Sequence, residues 1–236
     1  VIANTNDGRE LGNLFKNVSN RELNDNLVAY FPFNGNANDE SIFKQKTYMQ
    51  NVILCEDRYG RKNQAFDFNG KNSCISTDKK NFLNNTESIT ISLWINPRRA
   101  KNWESWICKD RPKWASKWRM GFGENKNNEW GFTMCKLNGG NNYWTNYWLT
   151  NSEILFNKWT HVAFSADQDK HIMTVYINGK KVGVLSNLRS FEKSEGSVRI
   201  GYQTDDNVYF DGKIDDIRIY NRVLSNEEVR ELYEMD

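Results

Sequence analysis

Residues 88–95, SITISLWI, alternate without a break: Ser88, Thr90, Ser92 and Trp94 fall on one side of an extended chain, Ile89, Ile91, Leu93 and Ile95 on the other. A period of two fits a strand with one buried face and fits no helix. The same rule runs through WTHVAFSA, HIMTVYING, SVRIGY and GKIDDIRIY, each bounded by Gly, Asn or Asp. Asn178 and Gly179 inside VYINGKKVGV form a type I′ hairpin signal, because both tolerate the positive φ of such a turn. Only LSNEEVRELY reads as a helix, with Ser225 as N-cap and Glu228 completing a capping box. Roughly a dozen short strands and one terminal helix predict an all-β fold, a two-sheet antiparallel β-sandwich or jelly roll. Residues 1–24, rich in Asn and poor in apolar side chains, read as a leader or linker ahead of one domain over 25–236.

Charge narrows the partners. Lys and Arg number 32 against 30 Asp and Glu, a net +2 that is too near neutral for a nucleic-acid binder. No apolar run is long enough for membrane insertion, and Val1 opens no signal-peptide pattern. The chain is expected to be a soluble part of a larger multidomain protein.

Seven of the nine tryptophans lie between 103 and 148, and residues 98–119 carry eight Lys or Arg against only Glu104 and Asp110. Trp94, Trp106, Trp118 and Trp130 sit in strand-like runs and read as core. Trp103, Trp114 in KDRPKWASK, and Tyr143, Trp144 and Tyr147 in LNGGNNYWTNYW have few core partners nearby in sequence. Exposed aromatic rings of this kind favour a stacking partner, and the C–H face of a sugar ring is one. The Asn141 and Asn142 amides would bond hydroxyls, and Lys113 and Lys117 would pair with carboxylate or sulfate. These nine residues, on loops and strand ends built by 101–118 and 138–148, are the expected ligand site for a polysaccharide or other glycan.

Catalysis finds no support. A strand of the type E-x-D-x-E is missing, Glu124 and Glu129 flank an Asn-rich hairpin tip, and His161 and His171 open strands with no nucleophile beside them. Cys55, Cys74, Cys108 and Cys135 lack zinc spacing, leaving four buried thiols or two disulfides in any of three connectivities, with Cys55–Cys74 and Cys108–Cys135 closest in sequence.

LVAYFPFNGNANDES, AFDFNGKNSCIST, SITISLWINP, WTHVAFSADQDKHIMTVYINGKKVG and FDGKIDDIRIYNRVLSNEEVRELY, in that order, resemble the laminin-G-like, concanavalin-A-like jelly-roll family. The resemblance runs from about Leu27 to Tyr233 and is weakest over 98–150. It implies a module of a secreted or cell-surface protein that binds glycans, with Trp159 at a core position. It also implies a structural Ca²⁺ where the first and last strands meet, held by Gly35 and Asp215, with Asp39 as second carboxylate; oxygen-rich loops are what this ion requires. Asp215 and Asp216 are adjacent on a strand and would face opposite ways unless that strand is bulged. The expected function is a non-catalytic carbohydrate-binding module. A protein-binding adhesion or scaffold domain is the alternative, and a divergent glycoside hydrolase a weaker one.

Overall fold

The computed structural model describes residues 23–78, 83, 87–110, 116–123, 130–138, 141–149, 154–188, 196–204 and 207–235, with backbone alone at 110, 116, 117, 130, 132–138 and 141–149. The strands are β1 (Leu27–Phe31), β2 (Thr47–Gln50), β3 (Ile53–Cys55), β4 (Ala65–Asn69), β5 (Cys74–Thr77), β6 (Ser88–Pro97), β7 (Ser105–Asp110), β8 (Ser116–Phe122) and β9 (Trp130–Asn138). They continue with β10 (Asn141–Leu149), β11 (Thr160–Asp167), β12 (Ile172–Ile177), β13 (Lys180–Ser186), β14 (Val198–Ile200), β15 (Tyr202–Gln203), β16 (Val208–Tyr209) and β17 (Asp211–Tyr220), before a C-terminal helix over Asn226–Glu234. One antiparallel sheet runs β13-β12-β11-β6-β17-β4-β3, with β1 on the second half of β17; the other runs β10-β9-β8-β7-β14-β5-β2. This is the expected all-β sandwich.

Between the sheets, Ile89, Ile91, Leu93 and Ile95 of β6 join Ile107, Trp118, Met120, Phe122, Val198 and Ile200 from the opposing layer in one core cluster. Trp106 is also wholly buried, edge-on to Phe122. A bulge between Ser105 and Ile107 lets neighbouring positions on β7 both turn inward. Trp159, by contrast, is only half-buried just before β11. Asn178 and Gly179 take φ of 47° and 72°, the positive values that the β12–β13 hairpin signal requires.

The polar side of β6 is not open to water. The C-terminal helix lies over it, burying Val229 and Leu232 against Leu27, Ala163, Tyr176 and Tyr220 in a second cluster. Tyr233 stacks on Trp94 at 5.5 Å, and Thr90 and Ser92 are buried beside them. His161, expected at a strand start, sits within β11 and is wholly enclosed; its Nε2 lies 2.8 Å from Ser92 Oγ, and burial pushes its pKa down to about 3. The capping box forms as expected, with Ser225 Oγ accepting from the Glu228 N–H and Glu228 accepting from the Ser225 N–H. Ser225→Ala is expected to cost about 1 kcal/mol in a urea titration, with Arg222 still held by Glu228.

Cys55, Cys74 and Cys108 are not disulfide-bonded, so none of the three two-disulfide connectivities is formed. Among the described residues no helix is long and apolar enough to cross a membrane.

Candidate functional site

With one sheet covered by the helix, the outward face of the seven-stranded sheet is where ligand chemistry collects. Strand pairing lines up one row across all seven strands: Asn146, Thr133, Arg119, Cys108, Arg199, Ser76 and Tyr48. At the usual strand spacing this row is about 29 Å long. Its neighbours Met120, Ile107 and Ile200 face the core, so by the alternation of a strand Arg119, Cys108 and Arg199 face away from it.

Two aromatic and basic clusters stand on that row. The first is Trp103, half-buried in the turn before β7 at φ 61°, a conformation costly for a bulky residue. The Arg119 guanidinium lies 4.6 Å from its ring and donates to the Trp103 carbonyl at 2.8 Å and to Gln203 Oε1 at 3.1 Å. The second cluster is the small hairpin β15–β16, which turns back over the sheet at Gly201. The Cys108 thiol donates to the Tyr202 carbonyl at 3.2 Å. Tyr202 and Tyr209 stack at 4.3 Å and 24°, Arg199 lies 5.5 Å from the Tyr202 ring, and the Tyr202 hydroxyl donates to Asn207 at 3.3 Å. Flat aromatic faces beside guanidinium and amide groups can stack a ring and bind oxygen at its edge.

Of the sequence-expected ligand residues, Trp103 is on this face. Lys113 and Trp114 lie outside the described residues, as do Glu124 and Glu129. Lys117 falls on β8, and Asn141, Asn142, Tyr143, Trp144 and Tyr147 all fall on β10. Residues 138–148, expected as loop and strand ends, thus fall mostly within the edge strand β10. Their aromatic and Thr content favours extended backbone, with Gly139-Gly140 between β9 and β10 supplying a hairpin signal. Register divides them. Trp144 stands two residues before Asn146, a member of the outward row, whereas Tyr147 shares its row with Phe132, Met120 and Ile107, the last two fully buried. Arg119, Arg199, Tyr202 and Tyr209 were not singled out from sequence. SVRIGY carried the signal, since its alternation already sets Arg199 opposite Val198 and Ile200.

The expected calcium residues are not assembled. Asp39 is buried, its Oδ1 accepting from the Tyr30 and Ser41 N–H groups at 2.9 Å each and its Oδ2 from the Gln45 N–H at 2.8 Å. Asp215 instead faces a polar cavity of roughly 80 Å³, where neither Gly35 nor Asp39 reaches the lining. Arg58 lies 3.3 Å from its Oδ2. Among the described residues no group of three or more His, Cys, Asp or Glu is placed to hold a metal ion. The donor set therefore does not fit the ion as expected.

A family model described as the concanavalin A-like lectin/glucanases superfamily matches residues 69–230. No curated protein matches the chain. Its structure is similar to domain 4 of AbnA, a GH43 extracellular arabinanase from Geobacillus stearothermophilus, in complex with arabinotriose, at 20% identity and TM-score 0.64 over 88% of this chain and 98% of that one. It is also similar to the botulinum neurotoxin serotype D ligand binding domain in complex with N-acetylneuraminic acid, at 23% identity and TM-score 0.69 over 92% and 52% of the two chains. The binding domain of botulinum neurotoxin DC in complex with rat synaptotagmin II shows 20% identity and TM-score 0.67 over 89% and 52%. The chain spans about half the length of these toxin domains, and at such identities the likeness carries the fold alone.

Proposed function

This chain belongs to the concanavalin A-like lectin/glucanase superfamily, and from that premise we propose that it is a non-catalytic carbohydrate-binding module of a secreted or cell-surface protein, taking its glycan along the outward face of the seven-stranded sheet. The observation that carries this reading is the row of Arg119 and Arg199 with Trp103, Tyr202 and Tyr209 standing beside it. Two similar structures hold arabinotriose and N-acetylneuraminic acid, which supports a sugar as the ligand class. The half-buried Arg199 guanidinium favours a polysaccharide bearing uronic or sulfate groups, while the buried Arg119 braces Trp103. Trp114 and Trp144, with Lys113, Lys117 and the Asn141 and Asn142 amides, are proposed from their residue types as further ligand groups.

Affinity electrophoresis against neutral and acidic polysaccharides tests the reading. Tyr202→Ala is expected to weaken binding about tenfold, the loss of one stacked ring. Arg199→Ala should weaken acidic polysaccharides more than neutral ones, and Trp114→Ala and Trp144→Ala should each reduce retardation. No retardation by any polysaccharide would overturn the glycan reading. It would favour a protein partner, the mode seen in the similar synaptotagmin complex.

A further inference from the structure

The corner where the first and last strands meet already holds a cation of its own. Arg58, in the turn between β3 and β4, has a side chain only 6% exposed. Its Nη1 lies 3.3 Å from Asp215 Oδ2, and its Nη2 lies 3.7 Å from Asp216 Oδ2 and donates to the Met235 carbonyl at 2.8 Å. The guanidinium carbon sits 4.6 Å from the ring centres of both Tyr59 and Trp94. One side chain thus joins the β3–β4 turn, β6, β17 and the residue after the C-terminal helix.

Both aspartates reach this corner because β17 is bulged. Its register against β6 shifts between Asp215 and Arg218, and Asp216 takes φ 51°. An unbroken strand would have sent the two carboxylates to opposite faces. Here both line the same cavity, with Tyr30, Asn34, Arg58 and Gln64. The charges in this corner balance as they stand: Arg58 faces Asp215 and Asp216, Arg218 lies 2.8 Å from Asp216 Oδ1, and Arg61 lies 2.6 Å from Asp57. A divalent ion would add two positive charges, with Asp39 turned away onto three backbone N–H groups.

We infer that Arg58 is the closing cation of this jelly roll, a guanidinium standing where the family resemblance places calcium, so that the domain folds and stays closed without a divalent ion. The inference is independent of the glycan reading.

Thermal unfolding with EDTA and with millimolar CaCl₂, together with calorimetric titration of CaCl₂ into the wild-type protein, decides it. The midpoint should agree within about 1 °C in the two buffers, and the calcium titration should give no heat of binding. Arg58→Ala should unfold about 10 °C lower, since it leaves the buried Asp215 carboxyl without its partner and removes the ring contacts to Tyr59 and Trp94. It should also regain part of that loss in CaCl₂, because an oxygen-lined space has opened. A wild-type midpoint raised several degrees by calcium, or stoichiometric calcium uptake, overturns the inference whatever the variant does. So does an Arg58→Ala midpoint equal to wild type. If that variant does not fold, Arg58→Lys is read instead. It keeps the charge and loses the fork and the ring contacts, and should fall between the two.

Discussion

Gly201→Ala is expected to lower stability by about 3–4 kcal/mol, a fall of roughly 10 °C in the unfolding midpoint for a domain of this size. Two costs combine at this residue. Gly201 takes φ +75°, where a side chain is strained. An added Cβ would also lie 2.2 Å from Cδ1 and 2.5 Å from Cε1 of Phe68, a wholly buried ring with no empty space to move into. The consequence reaches the site, because Gly201 is the pivot of β15–β16. Its N–H donates to the Trp106 carbonyl at 2.8 Å, and its own carbonyl accepts from the Phe210 N–H at 2.9 Å. Displacing it moves Tyr202 and Tyr209 together, so polysaccharide binding should fall further than in Tyr202→Ala. Pairing the change with Phe68→Leu separates the two costs. The contact part should be partly relieved and the backbone part should remain. A Gly201→Ala midpoint within about 2 °C of wild type would refute the assignment.

Glu104→Gln should change the pH dependence of stability more than any other single substitution at the edge of the site. Glu104 is wholly buried, and burial pushes its carboxyl up to about 9, with Asp211 adding to the rise. Its oxygens have no strong hydrogen-bond partner, the backbone of Asp211 offering only weak compensation. The sign follows from a folded pKa above the unfolded one. The protonated form's contribution is complete below the ordinary carboxylate value and declines as pH rises from there to about 9. The slope is at most about 1.4 kcal/mol per pH unit. Glutamine cannot ionise, so the variant should match or fall slightly below wild type near pH 4 and exceed it increasingly toward pH 8. Urea titrations at the two pH values measure this, and parallel curves would show that Glu104 is ionised in the folded protein. Glu104 directly follows Trp103, and its carbonyl accepts from the Phe122 N–H at 3.0 Å, so the substitution also tests what holds that ring over Arg119.

Much of the fold was legible because its signals are local. The alternation in SITISLWI separates two faces by backbone geometry alone, and the Ile face is indeed the core. Asn178-Gly179 and Ser225 with Glu228 satisfy their own backbone within a few residues, so turn and cap appear as read. The second face of β6 was less legible. Thr90, Ser92 and Trp94 look solvent-facing in isolation, yet a helix well over a hundred residues later covers them, and the same packing encloses His161. For the candidate site, sequence reasoning singled out residues between 101 and 148, and the strands that carry the described part of that stretch, β7 to β10, are consecutive neighbours in one sheet. Trp103 and Arg119 come together there in the described structure. Arg199, Tyr202 and Tyr209 join them only because β14 pairs with β7 across about ninety residues of chain.

By itself, the order of residues determined that this chain alternates, turns and caps as an antiparallel β-sandwich, since those preferences act between neighbours. Tertiary structure alone decided which strands lie side by side, and hence which distant side chains share a row. It also decided where β17 bulges to bring Asp215 and Asp216 together, and that Arg58 lies between them and Trp94. The reason is physical: register and burial depend on contacts between segments far apart in the chain, and these form only when both sheets close on a common core.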